Sequence, residues 1–205
     1  MTRIKICGIT NPADALKAAE LGAHALGFIF APSPRQVSPE TAASIIRELP
    51  AFMQTVGVFV NSAENEVREI MEYTGLDLVQ FHGRETPEFC GKFVPRVIKS
   101  LSMEKGFDLD LAASYHPVTK AILLDSGGGG TGRTFDWALI PEELDRKKLI
   151  LAGGLNPENI IQAIRKVRPW AVDTSSGIES TPGRKDFIKM SNFIAKVKEA
   201  DHDAS

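Results

Sequence analysis

Short apolar runs alternate with longer segments of mixed polarity along the chain. Several of these runs are almost continuously apolar, which is typical of parallel strands that are covered on both faces. Because they recur at similar spacing from one end of the sequence to the other, we interpret them as strands of one sheet. Eight strands are predicted, at residues 4–7, 25–30, 55–60, 78–81, 97–99, 121–125, 149–151 and 171–173.

Helix-start signals lie between these runs. In four places a capping residue precedes a proline, which suits the first helical position because proline has no backbone N–H to leave unpaired. These pairs are Asn11-Pro12, Ser38-Pro39, Thr86-Pro87 and Asn156-Pro157. We expect the first helix to end at Gly22, the seventh to end before Pro169, the last to begin near Asp186, and the fourth to sixth to be short. The residues expected to be buried in the first, seventh and last helices are Ala15, Leu16 and Ala19, then Ile160, Ile161, Ile164 and Val167, then Phe187, Met190, Ile194 and Val197.

Eight strand–helix units of roughly 25 residues each account for the chain. Alternation of this kind predicts an α/β protein with a parallel sheet and right-handed crossovers. The predicted fold is a single (β/α)8 TIM barrel with a parallel eight-stranded core, forming one catalytic domain over residues 1–205. An open doubly wound sheet of six or seven strands is the main alternative, and the number of strand candidates favours closure.

Composition narrows the class of protein. Hydrophobic residues make up 43% of the chain and charged residues 24%, which is ordinary for a globular domain. A net charge of −2 gives no basic field for a nucleic acid or an anionic membrane. Two cysteines, and a start without a long apolar segment, indicate a cytoplasmic protein without a disulfide framework. Composition leaves a monomer and a homodimer equally open.

In such a barrel the active site forms where the strands end. The polar residues predicted to meet there are Cys7, Arg35, Asn61, Gln80, His82, Ser100, Asp125, Gly153, Gly154, Asp173, Ser175, Ser176 and Gly177. The glycine and serine loops after the last two strands offer N–H and O–H donors to an anion, at the usual phosphate site of this fold. They therefore predict a cradle for a phosphorylated small molecule, unless they are merely tight turns. A helical turn near Pro182-Gly183 is expected to complete it.

Two of these residues suit acid–base chemistry. Cys7 precedes a helix start, where a helix N-terminus or a cation would lower the pKa of its thiol and make it a usable base; its alternative is a core cysteine. A desolvated carboxyl such as Asp125 holds a proton more readily than one in water, although this residue could instead cap a loop. Asp173 could orient a sugar hydroxyl or pair with Lys5. Arg35 could hold a carboxylate or a phosphate oxygen, or be an ordinary surface arginine.

Two further kinds of site are not predicted. The scattered histidines and acids show no metal-ligand spacing, so no metal is expected. Gly127, Gly129 and Gly132 match the spacing of a dinucleotide-binding loop, but the next strand ends without an acidic residue for a ribose hydroxyl. We interpret this segment as a lid over the mouth.

The chain resembles the phosphoribosylanthranilate isomerases of tryptophan biosynthesis over nearly its whole length. The resemblance rests on the order and spacing of Lys5-Ile6-Cys7-Gly8, Ser33-Pro34-Arg35, Gln80-Phe81-His82-Gly83, Leu124-Asp125, Gly129-Gly130-Thr131-Gly132-Arg133, Ala152-Gly153-Gly154-Leu155 and Asp173-Thr174-Ser175-Ser176-Gly177-Ile178-Glu179. Where this chain has Phe81, the family usually has leucine, which is a conservative difference.

This resemblance implies a cofactor-free Amadori rearrangement of N-(5-phosphoribosyl)anthranilate. It assigns Asp125 as general acid, Cys7 as general base and Arg35 as the partner of the anthranilate carboxylate, with the last two loops on the phosphate. The residues alone do not name this substrate. A related sugar-phosphate isomerase, or a barrel that binds a phosphorylated metabolite without catalysis, remains the alternative.

Overall fold

A computed structural model describes residues 1–104, 106–127 and 132–202. Eight parallel strands form a closed barrel in chain order, and β1 pairs with both β2 and β8. The strands are β1 Arg3–Cys7, β2 Ala25–Ile29, β3 Gln54–Phe59, β4 Leu78–Phe81, β5 Val97–Ser102, β6 Ala121–Asp125, β7 Leu149–Leu151 and β8 Ala171–Thr174. The predicted barrel is confirmed, and the open sheet is excluded.

Helices cover the outside of the barrel. They are α1 Pro12–Leu21, α2 Pro39–Arg47, α3 Glu64–Thr74, α4 Pro87–Gly91, α5 Leu109–Tyr115, α6 Ile160–Val167 and α7 Phe187–His202. The described part of the link between β6 and β7 contains two 3₁₀ turns, Trp137–Leu139 and Arg146–Lys148, in place of an α-helix. The helices after β4 and β5 are short, as expected.

Three of the four predicted caps are confirmed. The side chains of Asn11, Ser38 and Thr86 each accept a hydrogen bond from the backbone N–H three residues later, at 2.9, 3.2 and 3.3 Å. Gly22 ends α1 with φ of +98°, a conformation that glycine adopts without steric cost.

The fourth predicted cap, Asn156, is wrong, because α6 begins only at Ile160. Asn156 Oδ1 accepts hydrogen bonds from the backbone of Glu158 and Asn159, and so caps a turn ahead of the helix. Asn159 Nδ2 in turn donates to the carbonyl of Gly154 at 2.9 Å. Both amide side chains are therefore used to shape the loop after β7.

The predicted buried faces need four corrections. In α1, Leu16 is exposed and Ala19 is half-buried, because the inner face carries Asp14, which accepts a hydrogen bond from the backbone of Lys185 at 2.9 Å. Ile161 is half-buried in α6. Phe187 is 43% exposed because it stands at the open first turn of α7, whereas later residues of that face are buried.

A hairpin follows β8 where a helical turn was expected. β9 (Glu179–Thr181) and β10 (Arg184–Lys185) pair antiparallel across Pro182 and Gly183. Proline followed by a glycine of positive φ, here +82°, is the pattern of a type II turn, so the expected helical turn at these two residues is wrong. The short 3₁₀ helix of this region lies earlier, at Ser176–Ile178.

Candidate active site

A cavity of about 600 Å³ opens at the carboxyl ends of the strands. This volume lies within the range of small-molecule sites, roughly 300–1,000 Å³. Among the residues that line it are Cys7, Arg35, Gln80, His82, Ser100, Asp125, Gly153, Gly154, Asp173, Ser175, Ser176 and Gly177. Asn61 is absent from this lining because its side chain accepts a hydrogen bond from the backbone of Arg84. Every other residue predicted for the mouth is therefore gathered around one space.

The thiol of Cys7 stands at the end of β1 beside a buried cation. Lys5 is two residues earlier on the same strand, so its side chain points to the same face. Burial raises the pKa of Cys7, and the Lys5 ammonium acts in the opposite direction. The expected lowering of the Cys7 pKa is wrong, because burial outweighs the nearby positive charge. Burial would also lower the pKa of Lys5, but Asp173 and Cys7 outweigh it and raise that pKa.

Asp125, at the end of β6, faces His82 across the mouth. Its Oδ2 lies 3.5 Å from Nε2 of His82, and its Oδ1 accepts a hydrogen bond from Ser126 Oγ at 3.2 Å. Burial lowers the pKa of His82, so the imidazole is neutral near pH 7. Gln80 Nε2 lies 3.2 Å from His82 Nδ1. The carboxyl is thus held between a hydroxyl and a neutral imidazole.

The loops after β7 and β8 are held close together. Thr174 Oγ1 donates to the carbonyl of Leu155 at 2.7 Å. Gly153 has φ of +83°, and a Cβ there would lie 2.6 Å from the backbone nitrogen of Ser126. Only glycine therefore fits this close approach without a shift. The hydroxyl of Ser175 is buried and has no hydrogen-bond partner within the described residues, which leaves it available to an anion.

Arg35 is not a surface arginine. Its side chain is 9% exposed, and its Nε and Nη2 donate to the two carboxylate oxygens of Glu179, each at 2.8 Å. Lys185 Nζ also donates to Glu179, at 2.9 Å. Neither Glu179 nor Lys185 was predicted to belong to the site. One signal in the sequence could have indicated them: Glu179 and Lys185 carry opposite charges, follow the predicted phosphate loop and flank the turn sequence Pro182-Gly183.

A second buried ion pair, also missed, lies under His82. Lys99 Nζ contacts Glu85 Oε2 at 2.9 Å and donates to the carbonyls of Phe81 and Gly83 at 3.2 and 2.7 Å. These carbonyls flank His82 on both sides. Lys99 thereby fixes the loop that presents the imidazole to Asp125.

Three further features bear on the predictions from the sequence: metal sites, membrane-spanning segments and a lid. Across the described ranges, no group of three or more His, Cys, Asp or Glu side chains is placed to hold a metal ion. No helix of the described residues is long and apolar enough to cross a membrane. In the predicted lid, residues 128–131 lie outside the described residues, while Gly127 lines the cavity.

Comparison with known proteins gives consistent matches. Residues 4–196 match the model of the N-(5'-phosphoribosyl)anthranilate isomerase family. The isomerase of Pelobacter propionicus is 49% identical over 204 residues, covering 97% of each chain. A solved phosphoribosylanthranilate isomerase in complex with reduced 1-(o-carboxyphenylamino)-1-deoxyribulose 5-phosphate has a TM-score of 0.85 and 46% identity, covering 97% of this chain and all of that one. The structure of monomers of the dimeric Thermotoga maritima isomerase has a TM-score of 0.85 and 44% identity, and it also covers 97% of this chain and all of that one. The chain therefore belongs to the phosphoribosylanthranilate isomerase family.

Proposed function

We propose that this protein converts N-(5'-phosphoribosyl)anthranilate to the 1-(o-carboxyphenylamino)-1-deoxyribulose 5-phosphate by an Amadori rearrangement, the isomerase reaction of its family in tryptophan biosynthesis. The observation that carries this proposal is one cavity that holds a thiol and a carboxyl, with an arginine and a glycine–serine cradle in its wall. The substrate has matching parts, a carboxylate, a phosphate and a sugar between them. Clamping both anionic ends places the sugar carbons beside the acid and the base.

The reaction needs two proton transfers. Asp125 gives its proton to the ring oxygen of the ribose while the bond from that oxygen to C1 breaks, and the nitrogen lone pair forms a C=N bond. Cys7 as thiolate then takes the proton from C2, and the C–H electrons form a C1=C2 bond as the iminium is neutralised. The resulting enolamine gains a proton at C1 and loses its enol proton to become the ketone. Acid and base therefore act at different atoms of one substrate.

The surroundings of the two groups support these roles. Burial lowers the pKa of His82, so the side chain that lies 3.5 Å from Asp125 is a neutral imidazole near pH 7. Burial raises the pKa of Cys7, and the Lys5 ammonium beside it acts in the opposite direction, towards the thiolate that the proposed base requires. The proposed base therefore lies beside an ammonium, and the proposed acid lies beside a neutral imidazole.

The remaining roles follow from position in the cavity. Arg35 binds the anthranilate carboxylate, and Gly153, Gly154, Ser175, Ser176 and Gly177 bind the phosphate. Asp173 is paired with Lys5 through Oδ2, and its buried Oδ1 has no partner within the described residues, so it is available to a sugar hydroxyl. Gln80 and His82 complete the wall around the ribose. No step of this scheme requires a cofactor or a metal.

We further propose that residues 1–205 act as one catalytic domain in the cytoplasm. The Thermotoga maritima relative is dimeric, and we expect this chain to be either a monomer or a homodimer. Light scattering coupled to gel filtration distinguishes the two states directly.

The test is turnover of freshly prepared phosphoribosylanthranilate, followed by the loss of anthranilate fluorescence. We expect turnover without added metal, and a loss of at least roughly 100-fold in kcat for Cys7→Ser and for Asp125→Asn. Cys90→Ser and Asp110→Asn are matched controls, because Cys90 is buried in α4 away from the cavity and Asp110 is exposed on α5. Saturable binding of the substrate without any turnover would instead favour the non-catalytic barrel or a related isomerase.

A further inference from the structure

We propose that Glu179 is a positioning residue that aims Arg35 at the substrate carboxylate, and that Lys185 ties this assembly to the backbone of Cys7. This inference rests on the proposed function, since it needs a carboxylated substrate. It assigns a role to the β9–β10 hairpin, which lies outside the eight strand–helix units of the barrel.

The guanidinium of Arg35 has two edges that can each bind a carboxylate with two hydrogen bonds. One edge, formed by Nε and Nη2, is occupied by Glu179 at 2.8 Å for each bond. Nη1 has no hydrogen-bond partner among the described residues, and Arg35 lines the cavity while Glu179 does not. The other edge, formed by Nη1 and the second hydrogen of Nη2, is therefore left for the ligand.

Two cations share the single carboxylate of Glu179. The side chains of Arg35, Glu179 and Lys185 are 9%, 5% and 0% exposed. Three buried charges sum to one net positive charge, which an arriving carboxylate would balance. A carboxylate that paired with Arg35 alone would neutralise its charge and leave nothing to attract the carboxylate of the substrate. Because Glu179 is shared between two cations, one net positive charge remains.

Lys185 extends the assembly to the reacting groups. Its three donors go to Glu179, to the carbonyl of Cys7 at 2.7 Å and to the carbonyl of Ser175 at 3.3 Å. Cys7 ends β1, and Ser175 begins the phosphate loop. The carboxylate end, the proposed base and the phosphate end are thus connected through one buried ammonium.

The hairpin explains why both charges point the same way. Glu179 and Lys185 are partners across the antiparallel pair, so their side chains lie on the same face. The hairpin is held against the barrel by hydrogen bonds from Thr10 Oγ1 to the carbonyl of Gly183 and from the backbone of Lys185 to Asp14. This gives Arg35 a fixed orientation before any ligand arrives.

The experiment compares two ligands that differ by one carboxyl group. They are reduced 1-(o-carboxyphenylamino)-1-deoxyribulose 5-phosphate and the same compound with an unsubstituted phenyl ring, and their dissociation constants are measured by calorimetry. We expect the wild type to prefer the carboxylated ligand by about 30-fold, the size of a charge-assisted hydrogen bond. Glu179→Gln makes the three-residue cluster more positive, so a preference set by charge alone would increase. If Glu179 positions Arg35, the preference should instead fall by about tenfold, because the amide group cannot accept both bonds from Nε and Nη2, while binding of the unsubstituted ligand changes by less than about threefold.

A double-mutant cycle separates positioning from a general loss of structure. In an Arg35→Met background, Glu179→Gln should have no further effect on the preference. Glu64→Gln is the control, because Glu64 is also shared between two cations, Arg68 and Lys92, but lies on α3 and does not line the cavity; it should leave the preference unchanged. If Glu179→Gln does not fold, Glu179→Asp, which keeps the charge but draws it back, should show an intermediate loss.

Retention of the full preference by folded Glu179→Gln, or by Glu179→Asp where the amide variant does not fold, would overturn the inference. So would an equal further loss in the Arg35→Met background. Failure of the proposed function is distinct, since it would appear as absent turnover in the wild type. The ligand comparison does not depend on turnover.

Discussion

Lys5 Nζ lies 3.0 Å from Oδ2 of Asp173, and this buried ion pair joins the first strand of the barrel to the last. The two residues are also partners in the β1–β8 register, so the pair spans the seam where the sheet closes. Lys5 precedes Cys7 by two positions on the same strand. One ammonium therefore serves both the closure of the barrel and the charge around the proposed base.

The first prediction concerns the pH profile of catalysis. Lys5→Met removes the cation that opposes the effect of burial on the pKa of Cys7, so this pKa should rise further. A base must be deprotonated to act, and the rising limb of kcat/KM against pH should move to higher pH. At pH 7 we expect a loss of at least about tenfold that becomes smaller as the pH increases.

The thiol itself provides an independent measurement. In a Cys90→Ser background Cys7 is the remaining cysteine, and its alkylation rate can be followed against pH. The alkylation profile should move in the same direction as the activity profile after Lys5→Met, with Lys5→Arg, which keeps the charge, lying closer to the wild type. Coincident profiles for wild type and Lys5→Met would show that the ammonium does not act on the thiol.

The second prediction concerns the glycine cradle. Gly153→Ala places a Cβ 2.6 Å from the backbone of Ser126 and 3.0 Å from Oδ1 of Asp125, in addition to the strain of a positive φ. We expect kcat/KM to fall by roughly 100-fold, because Asp125 and the phosphate loop must both shift. The measurement is steady-state kinetics together with the affinity for inorganic phosphate.

Gly75→Ala is the matched control for this change. Gly75 has a similar φ of +76° but lies at the end of α3, with nothing within 4 Å of the added Cβ. It should cost about 1–2 kcal/mol of stability from backbone strain and leave kcat/KM unchanged. If both variants lost the same kcat/KM, the loss would come from backbone strain and not from the close approach of the added Cβ to Ser126.

The apolar runs predicted the barrel because their regular spacing indicates parallel strands in chain order, and because eight such strands favour a closed sheet. They also predicted the mouth, since every strand of a parallel barrel ends on one face. Glu179 and Lys185 could not be found in this way. Glu179 is 144 residues from Arg35 in sequence, and Lys185 is 178 residues from Cys7, so no local pattern records either contact.

Whether the pKa of Cys7 is raised or lowered could not be predicted either, because the answer depends on tertiary structure. It depends on how far burial outweighs Lys5, and the sequence shows the cation but not the depth of the thiol. The cap predicted at Asn156 was wrong because the sequence cannot show that Asn159 turns back to the carbonyl of Gly154. The convergence of strand ends follows from the fold and was predicted, whereas individual contacts between distant side chains, such as Arg35 with Glu179, were not.

The third prediction concerns the loop that carries His82. Lys99→Met removes the partner of buried Glu85 and leaves its charge uncompensated, which should destabilise the fold by about 3–5 kcal/mol. The same change at Lys92, whose pair with Glu64 is largely exposed, should have little effect on urea unfolding. Similar losses for the two variants would contradict a special role for the buried pair.

The fourth prediction concerns stability in acid. Burial would raise the pKa of Glu85, but the backbone N–H of Asn61 and the ammonium of Lys99 outweigh it, and this pKa lies below its ordinary value. In Glu179, burial is likewise outweighed by Arg35 and Lys185, and that pKa is also lowered. Both carboxylates therefore bind a proton less readily in the folded chain than in the unfolded one.

The sign follows from linkage. Where the unfolded state binds more protons, the free energy of unfolding rises with pH. The contribution of these two groups is fully present above the unfolded pKa of about 4.3, and it is lost as the pH falls through their folded values. Urea unfolding between pH 7 and pH 3 should thus show decreasing stability below about pH 4.3, with a shallower decrease in Glu85→Gln than in the wild type. A Glu85→Gln curve parallel to that of the wild type would show that this carboxyl has the same proton affinity in both states, and that the Lys99 pair contributes nothing to stability against acid.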